Sequence, residues 1–217
     1  MSSAALEVYG HALTKAAGDA RHVSFRAVSD DGSRRRLPLR RWLGQVPIEE
    51  LELLERASGP VLDVGCGPGR HLMGLARLGV SGLGLDIAPH AVALARARGC
   101  RVLRRSVFDP LPEEGSWGSA LLLDGTVGID GDPKRLLRRL AALLRPGGAV
   151  LAEFEPPQAM SREVRLRVET LDEVSDWFPW AWVSTDDVNR ISQSAGLDVA
   201  DVWTARGRWF AQLGVPG

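Results

Sequence analysis

The chain lacks any apolar run approaching the ~20 residues that cross a bilayer. Residues 1–20 interrupt their apolar positions with Glu7, Lys15 and Asp19, so neither a spanning helix nor a secretory leader is expected. Only 2 of its 217 residues are cysteine, Cys66 and Cys100, too few for a disulfide scaffold, and reduced thiols in a cytoplasm are the expected state. Charge of neither sign is in excess. With 27 basic and 27 acidic side chains the formal net charge is zero, which leaves no global field to draw in a polyanion. A nucleic-acid partner is disfavoured on that ground, although Arg34, Arg35 and Arg36 make a local basic run. Histidine is scarce, at 4 residues, and no His/Cys/carboxylate cluster has the spacing of metal ligands, so no metal site is expected.

What the chain does contain is ordinary for a globular protein: 45% apolar and 25% charged residues. The length suits one core with appended elements. Pattern divides it into residues 1–58, an N-terminal extension or lid; 59–156, a regular core; and 157–217, a substrate-side insertion with a closing hairpin. In the core, short apolar runs at 60–64, 82–85, 101–103, 119–123 and 149–154 alternate with helical patterns at 70–78, 89–98 and 132–144. That alternation predicts a doubly wound α/β fold with a mainly parallel seven-stranded sheet. Residues 197–204 and 208–213 read as a C-terminal antiparallel hairpin after a helix at 185–195, and residues 4–16 as a short helix. Asp31-Gly32 marks a turn between strand-like residues 23–28 and 35–39.

The strand at 60–64 runs into Asp63-Val64-Gly65-Cys66-Gly67-Pro68-Gly69. Glycines there permit tight-turn dihedrals and let a ligand approach bare backbone. A dinucleotide fingerprint would need its third glycine at position 70, which is Arg70, and no Gly-Lys-Ser/Thr follows, so the spacing favours neither a nicotinamide site nor a P-loop. About 20 residues further on, Asp86 ends the next strand, where a carboxylate can accept from vicinal ribose hydroxyls. Loop, strand and acid together predict a nucleoside site.

With Leu111-Pro112, the strand Leu121-Leu122-Leu123-Asp124 and the turn Arg145-Pro146-Gly147-Gly148, these motifs resemble the class I S-adenosylmethionine-dependent methyltransferases over residues 59–154. Among these the chain looks most similar to small actinobacterial members of unassigned substrate. The resemblance implies S-adenosyl-L-methionine as cofactor, S-adenosyl-L-homocysteine as its product, and a small-molecule methyl acceptor. It further implies that Gly65, Cys66 and Gly67 flank the methionine part, with Gly69 closing the loop and Asp63 ordering it from beneath. Asp86 would hold the ribose with Ile87 beside it. The stretch Ser106-Val107-Phe108-Asp109 departs from the family's frequent Gly-Asp, so Val107 and Phe108 are expected to sandwich the adenine by apolar contact.

Methyl transfer from a sulfonium needs mainly alignment and desolvation, so no catalytic group is assigned. The candidates for a general base are the four histidines His11, His22, His71 and His90, of which His71 is nearest the glycine loop in sequence. Asp124, at a strand's carboxyl end, could meet the methionine ammonium, face the acceptor, or cap the loop that follows. Asp124-Gly125-Thr126-Val127 is not the Asn/Asp-Pro-Pro-Tyr/Phe signature of members that methylate planar or amide nitrogens. The aromatic stretch at 177–182 suits an apolar acceptor pocket, an oligomer contact or a plug over the sheet. Oligomeric state is open, a homodimer included, and acceptor choice is expected to reside in residues 1–43 and 157–183. An RNA or protein methyltransferase, and a non-catalytic S-adenosylmethionine-binding module, are the alternative readings.

Overall fold

A computed structural model describes residues 1–18 and 23–216. Ser2 caps the first helix, α1 (Ser3–Ala17), its hydroxyl accepting from the Ala5 amide at 3.2 Å. Next come β1 (Arg26–Ser29) and β2 (Arg34–Arg36), an antiparallel hairpin whose turn places Gly32 at φ 84°. This is the expected Asp31-Gly32 turn, but the second strand stops early because Leu39 already begins α2 (Leu39–Leu43). A further helix, α3 (Ile48–Glu55), leads into the core. Neither α2 nor α3 belongs to the expected elements.

The core alternates as its pattern predicts: β3 (Val61–Val64), α4 (Arg70–Arg77), β4 (Gly82–Asp86), α5 (Pro89–Ala97), β5 (Val102–Arg104), β6 (Trp117–Leu122), α6 (Pro133–Leu143) and β7 (Leu144–Phe154). Asp132 caps α6 by accepting from the Arg135 amide at 2.9 Å, and Pro133 supplies the preset φ of a first helical residue. β7 starts five residues before the expected strand, since Leu144 already pairs with Trp117 across a register shift ahead of Gly147 and Gly148.

Two strands between residues 157 and 183 were not anticipated: β8 (Arg162–Glu169) and β9 (Phe178–Trp182). After a 3₁₀ turn at Thr185–Asp187 come α7 (Val188–Ser194) and the closing strands β10 (Asp198–Ala205) and β11 (Arg208–Gly214).

The seven-stranded sheet has the order β10-β11-β7-β6-β3-β4-β5, parallel except for the β10–β11 hairpin, which joins β7 antiparallel. Period-two alternation splits its core between two faces. Leu62, Val64, Ala120 and Leu122 pack with Leu136, Leu140 and Ile191 of α6 and α7, whereas Val61, Leu121 and Leu151 pack with Leu54, Leu75 and Val92 of α3, α4 and α5. A second sheet, ordered β2-β1-β8-β9, is wholly antiparallel. Its inner face, including Phe25, Ala27, Val164, Leu166, Val168 and Phe178, shares a third core with α1 and α2. The N-terminal hairpin thus builds a separate sheet. Among the described residues, no helix is long and apolar enough to cross a membrane.

Candidate functional site

A cavity of about 400 Å³ lies between the carboxyl ends of β3, β4, β6 and β7 and the inner face of the small sheet. That is where open α/β sheets take their ligands. On the core side the wall is largely backbone. Gly65 and Gly67 sit at φ 70° and 53°, and a Cβ on Gly67 would stand 3.3 Å from the Tyr9 hydroxyl, one on Gly65 2.8 Å from Thr126 Cγ2. These glycines keep a cradle open that side chains would fill. The Leu85 carbonyl anchors the loop, accepting from the amides of Gly65 at 2.8 Å and Cys66 at 3.0 Å.

Asp86 projects from the end of β4 into this wall, its two carboxylate oxygens accepting from the Gly67 and Ala88 amides, each at 2.8 Å. Each oxygen keeps a lone pair for a further donor, which matches two vicinal hydroxyls of a ribose. Burial pushes the Asp86 pKa up, against those same amides. Ile87, Val107 and Cys66 also line the cavity.

Three expected contacts take other roles. Phe108 is absent from the cavity wall; its ring lies under the Arg135 guanidinium at 4.0 Å, so of the pair expected to sandwich an adenine only Val107 lines the cavity. Gly69 starts α4 at φ 83° and faces Cys100, whose Sγ a Cβ would meet at 2.8 Å, which makes it a packing glycine. Asp63 does lie beneath the loop, buried at 2% exposure, but the loop amides go to Leu85 instead. Burial pushes its carboxyl up to about 6, and its Oδ2 has no hydrogen-bond partner.

The floor is a network of three arginines and three carboxylates. Asp124 and Gly125 take consecutive left-handed conformations, φ 57° and 87°, which turn the chain as it leaves the core strand. The Asp124 carboxylate accepts from Arg70 at 2.7 Å and from Arg208 at 2.9 Å. Glu50 accepts from Arg70, from Arg41 at 2.5 Å and from Arg208 at 2.8 Å. Burial opposes its ionisation, yet a hydrogen bond from His71 and then the guanidinium groups of Arg70 and Arg41 hold its carboxyl down to about 2. Glu153 receives a fork from Arg208 at 2.7 and 2.5 Å and the Asp124 amide at 2.6 Å. Burial and the adjacent Asp124 carboxylate push Glu153 up to about 8, while the Asp124 amide and the Arg41 charge draw it back toward the ionised form.

The candidate bases separate in space. His11 lies outside the cavity, half exposed, paired with Glu173 at 2.9 Å. His22 falls outside the described residues. His71 does line the cavity but is buried, and its Nε2 lies 2.9 Å from Arg70 Nη2. The same nitrogen lies 3.8 Å from the Glu50 carboxylate.

The opposite wall is made of side chains: Tyr9 from α1, Trp42 from α2, and Leu166, Phe178, Trp180 and Trp182 from the small sheet. Tyr9 stacks on Phe25 at 5.9 Å and meets Trp42 edge-on at 6.0 Å. Burial, then the nearby Asp86, pushes the Tyr9 pKa well up, so the phenol stays a neutral donor. Of residues 177–182, Phe178, Trp180, Ala181 and Trp182 line the cavity, while the Trp177 ring lies under the Arg167 guanidinium. Sequence reasoning missed Thr126, Trp42 and the Arg41, Arg70, Arg208, Glu50 and Glu153 network. The strand that carries Leu166 was signalled by the alternation Val164-Arg165-Leu166-Arg167-Val168.

Comparison with known proteins bears on this site. The family described as "Methyltransferase domain" matches residues 35–202. A ubiquinone biosynthesis O-methyltransferase of Xanthomonas euvesicatoria pv. vesicatoria is 38% identical over 102 residues, covering 44% of this chain and 42% of the relative. A release factor glutamine methyltransferase of Rhodospirillum rubrum is 35% identical over 144 residues, covering 50% and 44%. The chain therefore spans less than half the length of these curated relatives, and neither carries the expected likeness to actinobacterial members. Among solved structures, an S-adenosylmethionine-dependent methyltransferase from Bacteroides fragilis, in complex with S-adenosyl-L-homocysteine, superposes with a TM-score of 0.82 at 23% identity, covering 100% of this chain and 98% of that one. The 1,6-didemethyltoxoflavin-N1-methyltransferase of Burkholderia thailandensis gives 0.54 at 18% identity, covering 72% and 71%. Both likenesses are of fold.

Proposed function

The chain belongs to the methyltransferase-domain family, and on that premise we propose that it transfers the methyl group of S-adenosyl-L-methionine to a small-molecule acceptor by in-line displacement. The observation that carries this reading is that one cavity is walled on one side by a glycine cradle with Asp86 and on the other by aromatic side chains. The first wall fits a nucleoside and the second an apolar acceptor, so both reactants meet in one place.

S-Adenosyl-L-methionine, when bound, supplies a methyl carbon already activated by its sulfonium and leaves as S-adenosyl-L-homocysteine. Asp86 then takes the ribose hydroxyls on its free lone pairs, and Gly65 and Gly67 admit the ligand to bare backbone. Asp124, Arg70 and Arg41 put charges of both signs on the floor, which suits a zwitterionic amino-acid tail. Tyr9, Trp42 and the small sheet exclude water and hold the acceptor in line, which is where most of the rate comes from in such a displacement.

A protein acceptor, suggested by the release-factor relative, loses support because Asp124-Gly125-Thr126-Val127 stands where an amide-binding Pro-Pro-Tyr/Phe signature would be. Calorimetry with S-adenosyl-L-homocysteine tests the reading: the wild-type protein should bind, and Asp86→Ala should bind more weakly as ribose hydroxyls lose their acceptor. Undiminished affinity in a folded Asp86→Ala protein removes Asp86 from the site. Tighter binding of a nicotinamide nucleotide overturns the cofactor. Incubation with methyl-labelled cofactor and cell extract then identifies the acceptor.

A further inference from the structure

Among the described residues, the cavity has no uncommitted general base. Every carboxylate on its wall is already bonded: Asp86 to the Gly67 and Ala88 amides, Asp124 to Arg70 and Arg208, Asp130 to Arg135, Glu153 to Arg208, and Glu155 to Arg35. Among the described residues the one histidine on the wall, His71, is held between Arg70 and Glu50. Protonation of Asp124, Asp130 or Glu155 would break its ion pair, and Glu153, the one carboxyl here pushed up to about 8, lies on the floor against Arg208 and not on the acceptor wall. An acceptor here has to arrive as its own nucleophile.

The acceptor side of the cavity is flat and cationic. The chain has 7 Trp, 5 Phe and 1 Tyr, and six of these, Tyr9, Phe25, Trp42, Phe178, Trp180 and Trp182, line this one wall. Phe178 and Trp180 meet edge to face at 6.2 Å, as aromatic rings pack around another ring. Arg35 faces inward from the edge strand β2, opposite Ala27, which also lines the cavity. Its guanidinium lies 4.0 Å over the Trp182 ring, with Nη1 donating to Glu155 at 2.6 Å. Most of its five donors remain for a ligand. Beside it, Arg36 reaches the same wall and has no carboxylate partner among the described residues. A cationic amine would meet a face of Trp182 already covered by positive charge.

We propose that the acceptor is a planar aromatic or enolic molecule with an acidic hydroxyl, its ring against Trp180 and Trp182 and its charge compensated by Arg35. The inference rests on the methyltransferase reading above and deepens it. The acceptor hydroxyl loses its proton to water before transfer, with the cationic edge of the small sheet favouring the oxyanion. That oxygen forms the new bond to the methyl carbon as the carbon–sulfur bond breaks, and the electron pair of the broken bond returns to sulfur as a neutral thioether. Arg35 acts in place of a base by making ionisation easier.

Calorimetry on protein loaded with S-adenosyl-L-homocysteine, using 4-nitrophenol, phenol and benzylamine as probes, tests the proposal. The 4-nitrophenolate should bind roughly tenfold or more tighter than phenol, with affinity rising with pH as the probe ionises. Arg35→Gln should weaken it about tenfold without moving S-adenosyl-L-homocysteine affinity or the melting temperature, and Arg35→Lys should recover part of the loss. Equal binding of phenol and 4-nitrophenolate, tighter binding of benzylamine, or an unaffected Arg35→Gln protein would each overturn the acceptor class while leaving the cofactor reading intact. Failure of S-adenosyl-L-homocysteine itself to bind overturns the underlying reading instead.

Discussion

The two walls of the cavity are made of different material. On the core side the recognising atoms are backbone amides, glycine Cα atoms and Asp86, a carboxylate locked to two amides. On the small-sheet side they are indoles, phenyl rings and arginine side chains carried by α1, α2 and the paired strands of the small sheet. A backbone wall cannot be altered without altering the fold, whereas a side-chain wall changes with each substitution. The constant reactant is therefore best served by the first and the variable reactant by the second. Between them lies the arginine–carboxylate floor, which ties α2, α3, α4, β7 and β11 together and belongs to neither.

The largest effect should follow from breaking the backbone wall. Gly67→Val forces a β-branched residue to φ 53° and places its Cβ 3.3 Å from the Tyr9 hydroxyl, inside the ligand's space. Affinity for S-adenosyl-L-homocysteine should fall by roughly 100-fold or more, about 3 kcal/mol, whereas Trp182→Phe on the other wall should leave that affinity within about twofold. Equal losses in the two variants, read by calorimetry, would erase the distinction between the walls. Next in size is the floor. Arg70, 2% exposed, leaves Glu50 and Asp124 short of a counter-charge if replaced. Arg70→Met should cost about 3–5 kcal/mol of stability in denaturant unfolding, and a loss under about 1 kcal/mol would show that Arg41 and Arg208 suffice without it.

The core wall was legible because its signals are local. A strand, its glycines and Asp86 fall within residues 61–86, and each needs its residue type for a reason that adjacent sequence supplies. The side-chain wall joins α1, β1, β2, α2, β8 and β9, which span residues 3–182, and no spacing rule connects Trp42 to Trp182. The β8 strand carries an alternation that went unread, and its partner β1 lies more than a hundred residues away, so pairing and the resulting second sheet were hidden. Phe108 was misplaced for a simpler reason: neighbours in a loop can point in opposite directions, and Arg135, which takes its ring, comes from a helix beyond the next strand.

Asp63 allows the buried support of the backbone wall to be tested by pH. Its folded pKa, about 6, lies above the ordinary 3.8, chiefly through burial. The folded protein therefore keeps a proton that the unfolded chain releases, and this group's contribution is fully present below about pH 4 and is lost as pH rises through 6. The whole change amounts to about 3 kcal/mol at most. Glu50, held down to about 2, works the other way, its contribution present above about pH 4.5 and lost in acid. Asp63→Asn isolates the first effect: its stability relative to wild type should climb between pH 4 and 6.5 in urea titrations and then level. A difference independent of pH would mean that Asp63 is already ionised in the fold.

The smallest expected effect sharpens the boundary of the side-chain wall. Tyr9 and His11 sit two residues apart on α1, about 200° apart around a helix of 3.6 residues per turn, so one cannot face the cavity if the other does. Tyr9 faces it; His11 points away to Glu173, with 56% of its side chain exposed. An exposed pair of this kind contributes little, and its loss falls within the scatter of surface substitutions. His11→Gln should therefore leave cofactor affinity, acceptor turnover and melting temperature unchanged within error, while Tyr9→Phe, which removes only the hydroxyl beside Gly67, should reduce kcat/KM with the fold intact. A fall in turnover on His11→Gln comparable to that on Tyr9→Phe would require α1 to rotate or shift during the reaction, and the side-chain wall would then include a helix face that now looks outward.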